Sequence, residues 1–137
     1  MRTPACHRGV LAFSLGPPPA TFGLVQLVLL AYGAGMTVKL VVLYTQPDDG
    51  DGFDEHYLGV HGPLVEKIPG LERWEGARFV GAPDGGEQIY HRIAELYFKD
   101  QASLEAALGS EEGRATAGDY KQIAPPGSRM FVAAVDA

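Results

Sequence analysis

Two short stretches of this chain hold the residues whose types suit proton transfer: His56 and His61 on one, His91 and Glu95 on the other. His61 stands two residues before Pro63. Proline has no N–H, so the carbonyl of Gly59 loses its helical partner, and a helix passing through must kink. A free carbonyl beside an imidazole fixes which ring nitrogen carries the proton, and a fixed tautomer is what a general acid/base needs. The competing reading is a histidine that ties helix to sheet, the commoner fate of a lone histidine. If Glu95 faces an apolar space, loss of water favours its neutral form, which lets a carboxyl move protons near neutrality. Its competing readings are an ion pair to Arg78 or Arg92, or a hydrogen bond that fixes a subunit contact. His61 and Glu95 are the candidate catalytic residues. Tyr44, His56, Tyr57, Trp74, His91 and Tyr97 are candidates for lining a substrate pocket, and each alone also suits core packing.

Other chemistries find little support. His56 and His61 are five residues apart, which on a regular α-helix puts them on different faces. They lack the i, i+4 spacing of a helical two-histidine metal site. His91 and Glu95 share a strand face but lie about 13 Å apart along it. No metal site is expected. No G-x-G-x-x-G opens a helix after a strand, and there is no P-loop and no G-x-S-x-G, so no cofactor is expected. The glycines of residues 81–86 fall in a hairpin, where turn geometry accounts for them. The single cysteine, Cys6, excludes an internal disulfide and cysteine-ligated zinc and makes a cytoplasmic setting the default. The formal net charge is −6, and residues 1–35 carry Arg2 and Arg8 without any Asp or Glu. The rest of the chain is therefore strongly acidic, a poor partner for nucleic acid or an anionic membrane.

The elements that must position these residues follow from pattern. Val38–Tyr44 is rich in β-branched residues and reads as a buried strand. Residues 47–52 hold Pro47, three Asp and two Gly, and read as a loop. A helix from Phe53 to Lys67 buries Phe53, Tyr57, Val60, Leu64 and Ile68, stepping by three and four. Pro69 and Gly70 end it. Leu71–Val80 and Ile89–Phe98 are strands joined by the hairpin. Ser103–Leu108 is a helix, with a further short helical stretch through Tyr120–Ile123. Arg129–Val135 is the last strand. The order β-α-β-β-α-β predicts an α+β protein of ferredoxin-like arrangement, a four-stranded antiparallel sheet with its helices on one face. On the third strand Ala94, Leu96 and Phe98 face the helices, and His91, Ile93, Glu95 and Tyr97 face away. That second face is half apolar and needs cover. A homodimer packed sheet on sheet supplies it and encloses a barrel-like space for a small ligand.

Three segments now stand together: FDEHYLGVHGPLV at 53–65 followed by IPGL at 68–71, AELYF at 94–98 followed by an acidic residue and a helix, and the pair Asp119–Tyr120. In this order and spacing they resemble the EthD family of dimeric α+β barrel proteins, across residues 36–137. The resemblance implies the fold, a homodimer and a ligand-sized cavity. The family is named for a gene associated with bacterial degradation of ethyl tert-butyl ether and is commonly labelled as a reductase; fungal relatives are linked to dehydration steps in aromatic polyketide synthesis. The implied role is in catabolic or secondary metabolism. It is either an oxidoreductase or a cofactor-independent acid/base enzyme, a dehydratase or isomerase, acting on a small apolar or aromatic metabolite. The alternatives are a non-catalytic protein that binds a metabolite for an oxygenase system, and a dimer whose cavity is filled by its own side chains.

Residues 1–35 stand apart. They run through Pro17, Pro18 and Pro19 to an apolar stretch, 22–32, too short for the about 20 residues that cross a bilayer. Arg2, Arg8 and the stretch 24–31 fit a signal peptide in part. A start site called too early fits better, with Met36 just ahead of the first strand. The segment is expected to be loosely structured, and the domain to occupy 36–137.

Overall fold

The computed structural model describes residues 35–136. The readings of the N-terminal segment, apart from Gly35, lie outside the described residues. Strand β1 (Val38–Thr45) is followed by a continuous helix α1 in three stretches. These are an α-helical Gly50–His56, a π-helical turn Tyr57–His61 and an α-helical Gly62–Glu66. Strands β2 (Arg73–Arg78) and β3 (Tyr90–Phe98) form the hairpin, then come α2 (Gln101–Gly109), α3 (Glu111–Ile123) and β4 (Arg129–Ala134). All strand pairs are antiparallel and the sheet order is β2-β3-β1-β4. This is the predicted ferredoxin-like sheet, with three helices rather than two.

The core lies between sheet and helices. Val38, Leu40, Val42 and Tyr44 alternate inward from β1, and Ala94, Leu96 and Phe98 from β3. Phe53, Tyr57, Val65 and Ile68 meet them from α1 and its C-terminal turn, and Leu104 and Ala107 from α2. Each large side chain so buried contributes about 1.5–3 kcal/mol.

Four expectations are corrected. Residues 47–52 are not all loop: the Asp49 side chain accepts from the Gly52 N–H and starts α1 at Gly50. The stretch expected at Tyr120–Ile123 is the end of α3, which begins at Glu111, where Ser110 caps it by accepting from the Gly113 N–H. Gly113 and Gly118 are weak helix formers and hid its first turns.

The third correction is the α1 stripe. Val60 is 45% exposed, while His61 is 4% and Val65 2% exposed. The buried face runs Phe53, Tyr57, His61, Val65, Ile68, one residue later in its middle than predicted. In the π turn the Gly62 N–H reaches back five residues to the Tyr57 carbonyl. Pro63 has no N–H to offer and its ring must clear the carbonyl four residues back, so the widened turn accommodates it. The extra residue brings His61 inward in place of Val60.

The fourth concerns β3. Tyr44 pairs with Arg92 and Thr45 with Tyr90, which leaves His91 without a partner on β1. This bulge breaks the alternation that would put His91 on the Glu95 face. His91 and Arg92 both turn towards α1 instead. There Asp54 accepts from His91 Nε2 at 2.8 Å and from an Arg92 terminal nitrogen at 2.9 Å.

Candidate functional site

His61 is placed by three elements. The π turn of α1 drives it inward, β1 presents Tyr44 beneath it, and α3 presents Asp119 beside it. His61 Nδ1 is 2.8 Å from Asp119 Oδ2, and His61 Nε2 is 3.3 Å from the Tyr44 hydroxyl. A carboxylate only accepts, which assigns the His61 proton to Nδ1. Nε2 is then a bare lone pair, to which the Tyr44 hydroxyl donates. Asp119 has a second partner: His56 Nε2 donates to its Oδ1 at 2.8 Å. The expectation that His56 and His61 point apart rested on regular α-helical geometry. A π turn rotates less per residue than an α turn, which brings residues five apart closer to one face, and both imidazoles close on one carboxylate.

The electrostatics agree with this assignment. Burial holds the His61 imidazolium below its ordinary range; Asp119 opposes that and His56 adds to it. Burial pushes Asp119 upward, but the hydrogen bonds from His56 and His61 outweigh it, and the carboxyl lies below its ordinary value. Burial, then the neighbouring Tyr57, Tyr120 and Asp119, raise the Tyr44 phenol far above its ordinary range. At neutral pH the group is a neutral imidazole, a carboxylate and a neutral phenol.

His61 and Tyr44 open onto an apolar cavity of about 90 Å³ between the sheet and the helices. Leu40, Val42, Leu96, Phe98 and Tyr120 are among its walls, and Leu108 and Met130, themselves exposed, stand where it meets the surface. No Lys, Arg, Asp or Glu lines it. At this volume, below the roughly 150 Å³ of an apolar cavity that holds benzene, the space as it stands admits only a molecule of a few heavy atoms.

The remaining candidates fall elsewhere. Tyr57 stacks on His61 with ring centres 5.6 Å apart, and Trp74 meets Tyr57 edge-on at 6.5 Å. Both support the site from behind and are not among the cavity's walls. His56 reaches the site through Asp119. His91 belongs to the Asp54 cluster. Glu95 is on the opposite face of the sheet from His61, where Lys39 Nζ donates to it at 2.6 Å. The partner is neither Arg78 nor Arg92, because those two point to the helix side, at Asp54. Tyr97 shares the open face, with the Arg73 guanidinium 3.6 Å from its ring centre. His61 and Glu95 therefore do not meet within one chain: the cavity that His61 lines is on the helix side of the sheet and Glu95 is on its open face. Asp119, 58 residues from His61 in the chain, had no assigned role in the sequence reading. Its one signal was its place in the Asp119–Tyr120 pair. Among the described residues no group of three or more His, Cys, Asp or Glu is arranged to hold a metal ion, and no helix is long and apolar enough to cross a membrane.

A ferredoxin-like sheet covered on one face, with an imidazole–carboxylate pair beside an apolar cavity between the layers, defines a small α+β protein. Comparison with known proteins narrows the class. The EthD domain matches residues 48–124, and the chain belongs to the EthD family. An uncharacterised 11.0 kDa protein of the thcB–thcC intergenic region of Rhodococcus erythropolis is 34% identical over 93 residues, 68% of this chain and 89% of that one. The crystal structure of an EthD family protein from Bacillus halodurans is 39% identical, with a TM-score of 0.67 over 72% of this chain and 97% of that one. SnoaB, a cofactor-independent oxygenase from Streptomyces nogalater, is 15% identical with a TM-score of 0.56 over 74% of this chain and 94% of that one, and shares the fold.

Proposed function

We propose that this protein is a cofactor-independent acid/base enzyme that takes a small, neutral, apolar metabolite into the cavity under its helices. The observation that carries this reading is the His61–Asp119 pair, with His61 and Tyr44 among the walls of an uncharged, apolar space. Nε2 takes a proton from a C–H or O–H of the substrate, and the imidazolium so formed is held by Asp119 through Nδ1–H. The Tyr44 hydroxyl, released from Nε2, donates to the oxygen on which negative charge develops. Return of the proton at another atom of the substrate completes an isomerisation, and its delivery to a leaving hydroxyl completes a dehydration.

A homodimer belongs to the same reading. Val41, Leu43, Ile93 and Phe131 stand on the open face of the sheet, and Phe131 is 49% exposed. A second copy laid on this face covers them, and the Lys39–Glu95 pair then lies in the contact. Glu95 has its place in assembly rather than in proton transfer.

The test is proton–deuterium exchange into a panel of small neutral carbonyl compounds in deuterated buffer, followed by NMR. The wild type is expected to accelerate exchange into at least one of them, and His61→Gln to abolish the acceleration. Equal exchange by the two proteins would remove the catalytic reading. A metabolite retained through purification and released chemically unchanged, bound equally by both proteins, would favour the binding role instead.

A further inference from the structure

Asp119 is divided between two imidazoles of unequal exposure. The His61 side chain is 5% exposed and the Asp119 side chain 10%, while that of His56 is 36% exposed. The three form one line from the cavity to solvent, each carboxylate oxygen holding one imidazole at 2.8 Å. We propose that His56 sets the basicity of His61 through the carboxylate the two share, so that the half-buried histidine acts as a positioning residue for the buried one. In its catalytic consequence this rests on the function proposed above; the coupling itself does not.

The physical argument is one of charge. With His56 neutral, the full negative charge of Asp119 stands behind the His61 Nδ1–H and stabilises the imidazolium that forms when Nε2 accepts a proton. With His56 protonated, the same carboxylate is already neutralised on its Oδ1 side. His61 then gains less from becoming charged and is a weaker base. Two imidazoles bound to one carboxylate titrate as a coupled set. The other titratable groups facing the site are phenols: Tyr44 from β1, Tyr57 from α1 and Tyr120 from α3. Arg92 of β3 lies over the Tyr57 ring at 4.5 Å. Burial favours the neutral form of all three phenols. The groups left at His61 are the carboxylate of Asp119 and, on its far oxygen, the imidazole of His56. Burial is what makes the coupling large, since charges act over a longer range where water is excluded.

The experiment needs no substrate. The His61 ring is titrated by NMR on the full chain, labelled with nitrogen-15 histidine, as wild type, His56→Gln and His56→Lys. Glutamine keeps an N–H donor for Oδ1 and never takes a charge; lysine is charged across the whole neutral range. The His61 midpoint is expected to lie at higher pH in the Gln variant than in the Lys variant, by roughly half a pH unit or more, with the wild type between the two or at the Lys value. Identical midpoints in all three would overturn the proposal. Repeating the pair in an Asp119→Asn background should shrink the gap between them, and an undiminished gap would overturn the part given to Asp119. If the Lys variant does not fold, the Gln variant carries the test alone. A pH–rate profile for deuterium exchange separates the two readings. If its acid limb moves with the NMR midpoint, both stand. If the midpoint moves and the profile does not, His61 is not the base, and the coupling survives without the catalytic role.

Discussion

At the scale of single residues, the site depends on a carboxylate that serves two donors and leaves none of the three groups unpaired. Asp119→Asn keeps the shape but replaces an acceptor oxygen with a donor amide, which one of the two imidazole N–H groups must then face. The expected cost is about 1–3 kcal/mol of stability at neutral pH, the usual size for a buried hydrogen-bonding group left unpaired. The pH dependence has a definite sign. The folded state holds the Asp119 carboxyl below its ordinary value of 3.8, against burial and through its two histidines. Its contribution is present above that value and is lost as pH falls through the lower, folded one. The deficit of the variant relative to wild type should therefore persist from neutral pH to about 4 and narrow below it, as read from urea midpoints over that range. A deficit of constant size down to strong acid would mean that the lost stability is not that of the carboxylate. His61 was legible in the sequence because Pro63 marks its turn. Asp119 was not, because nothing local ties it to His61: a sheet and two helices must form before the two meet.

At the scale of elements, two departures from regular geometry decide what faces the cavity. Read with an α-helical period, α1 buries Val60 and Leu64. The π turn moves that face along by one residue and delivers His61 and Val65 in their place. Sequence periodicity carries no count of how many residues a turn holds, so the stripe was right at Phe53, Tyr57 and Ile68 and displaced between them. The bulge at His91 has the same character, since one unpaired residue reverses the side on which a side chain emerges. The regular parts of the fold, the strands and their order, were legible because alternation and turn residues specify them directly. Two glycines test the helical frame with opposite signs. A Cβ at Gly59 meets nothing within 4 Å, and its exposed place in the π turn does not require glycine. Gly59→Ala should stabilise the protein by about 0.5–1 kcal/mol through the unfolded chain. A Cβ at Gly113 would run into the Ala107 carbonyl, where the start of α3 crosses the end of α2. Gly113→Ala should cost about 1–3 kcal/mol, because backbone must move to admit it. Thermal unfolding of the two variants beside wild type checks both. A Gly113 variant as stable as wild type would show that the α2–α3 corner yields freely.

At the scale of the whole molecule, the sheet separates two groups of residues that strand alternation alone would put in one space. The helix side carries the cavity, His61 and Tyr44. The open side carries Lys39, Glu95, Tyr97 and the apolar side chains of β1, β3 and β4. A half-apolar sheet face left in water would be a large exposed patch, and the short edge strands β2 and β4 do not cover it. Phe131, on β4 opposite Val41, is the large apolar side chain most exposed on that face. Its replacement by a charge tests the assembly without touching the cavity, since Phe131 is not among the cavity's walls. Phe131→Lys, and Ile93→Lys beside it, should turn a dimer of the full chain into a monomer at micromolar concentration in sedimentation. The His61 titration should stay as in wild type, because the sheet lies between the two faces. If the wild type itself sediments as a monomer, the sheet-on-sheet dimer is excluded. If the variants dissociate and the His61 midpoint moves with them, the two faces are coupled through the sheet, and the division of labour between them does not hold.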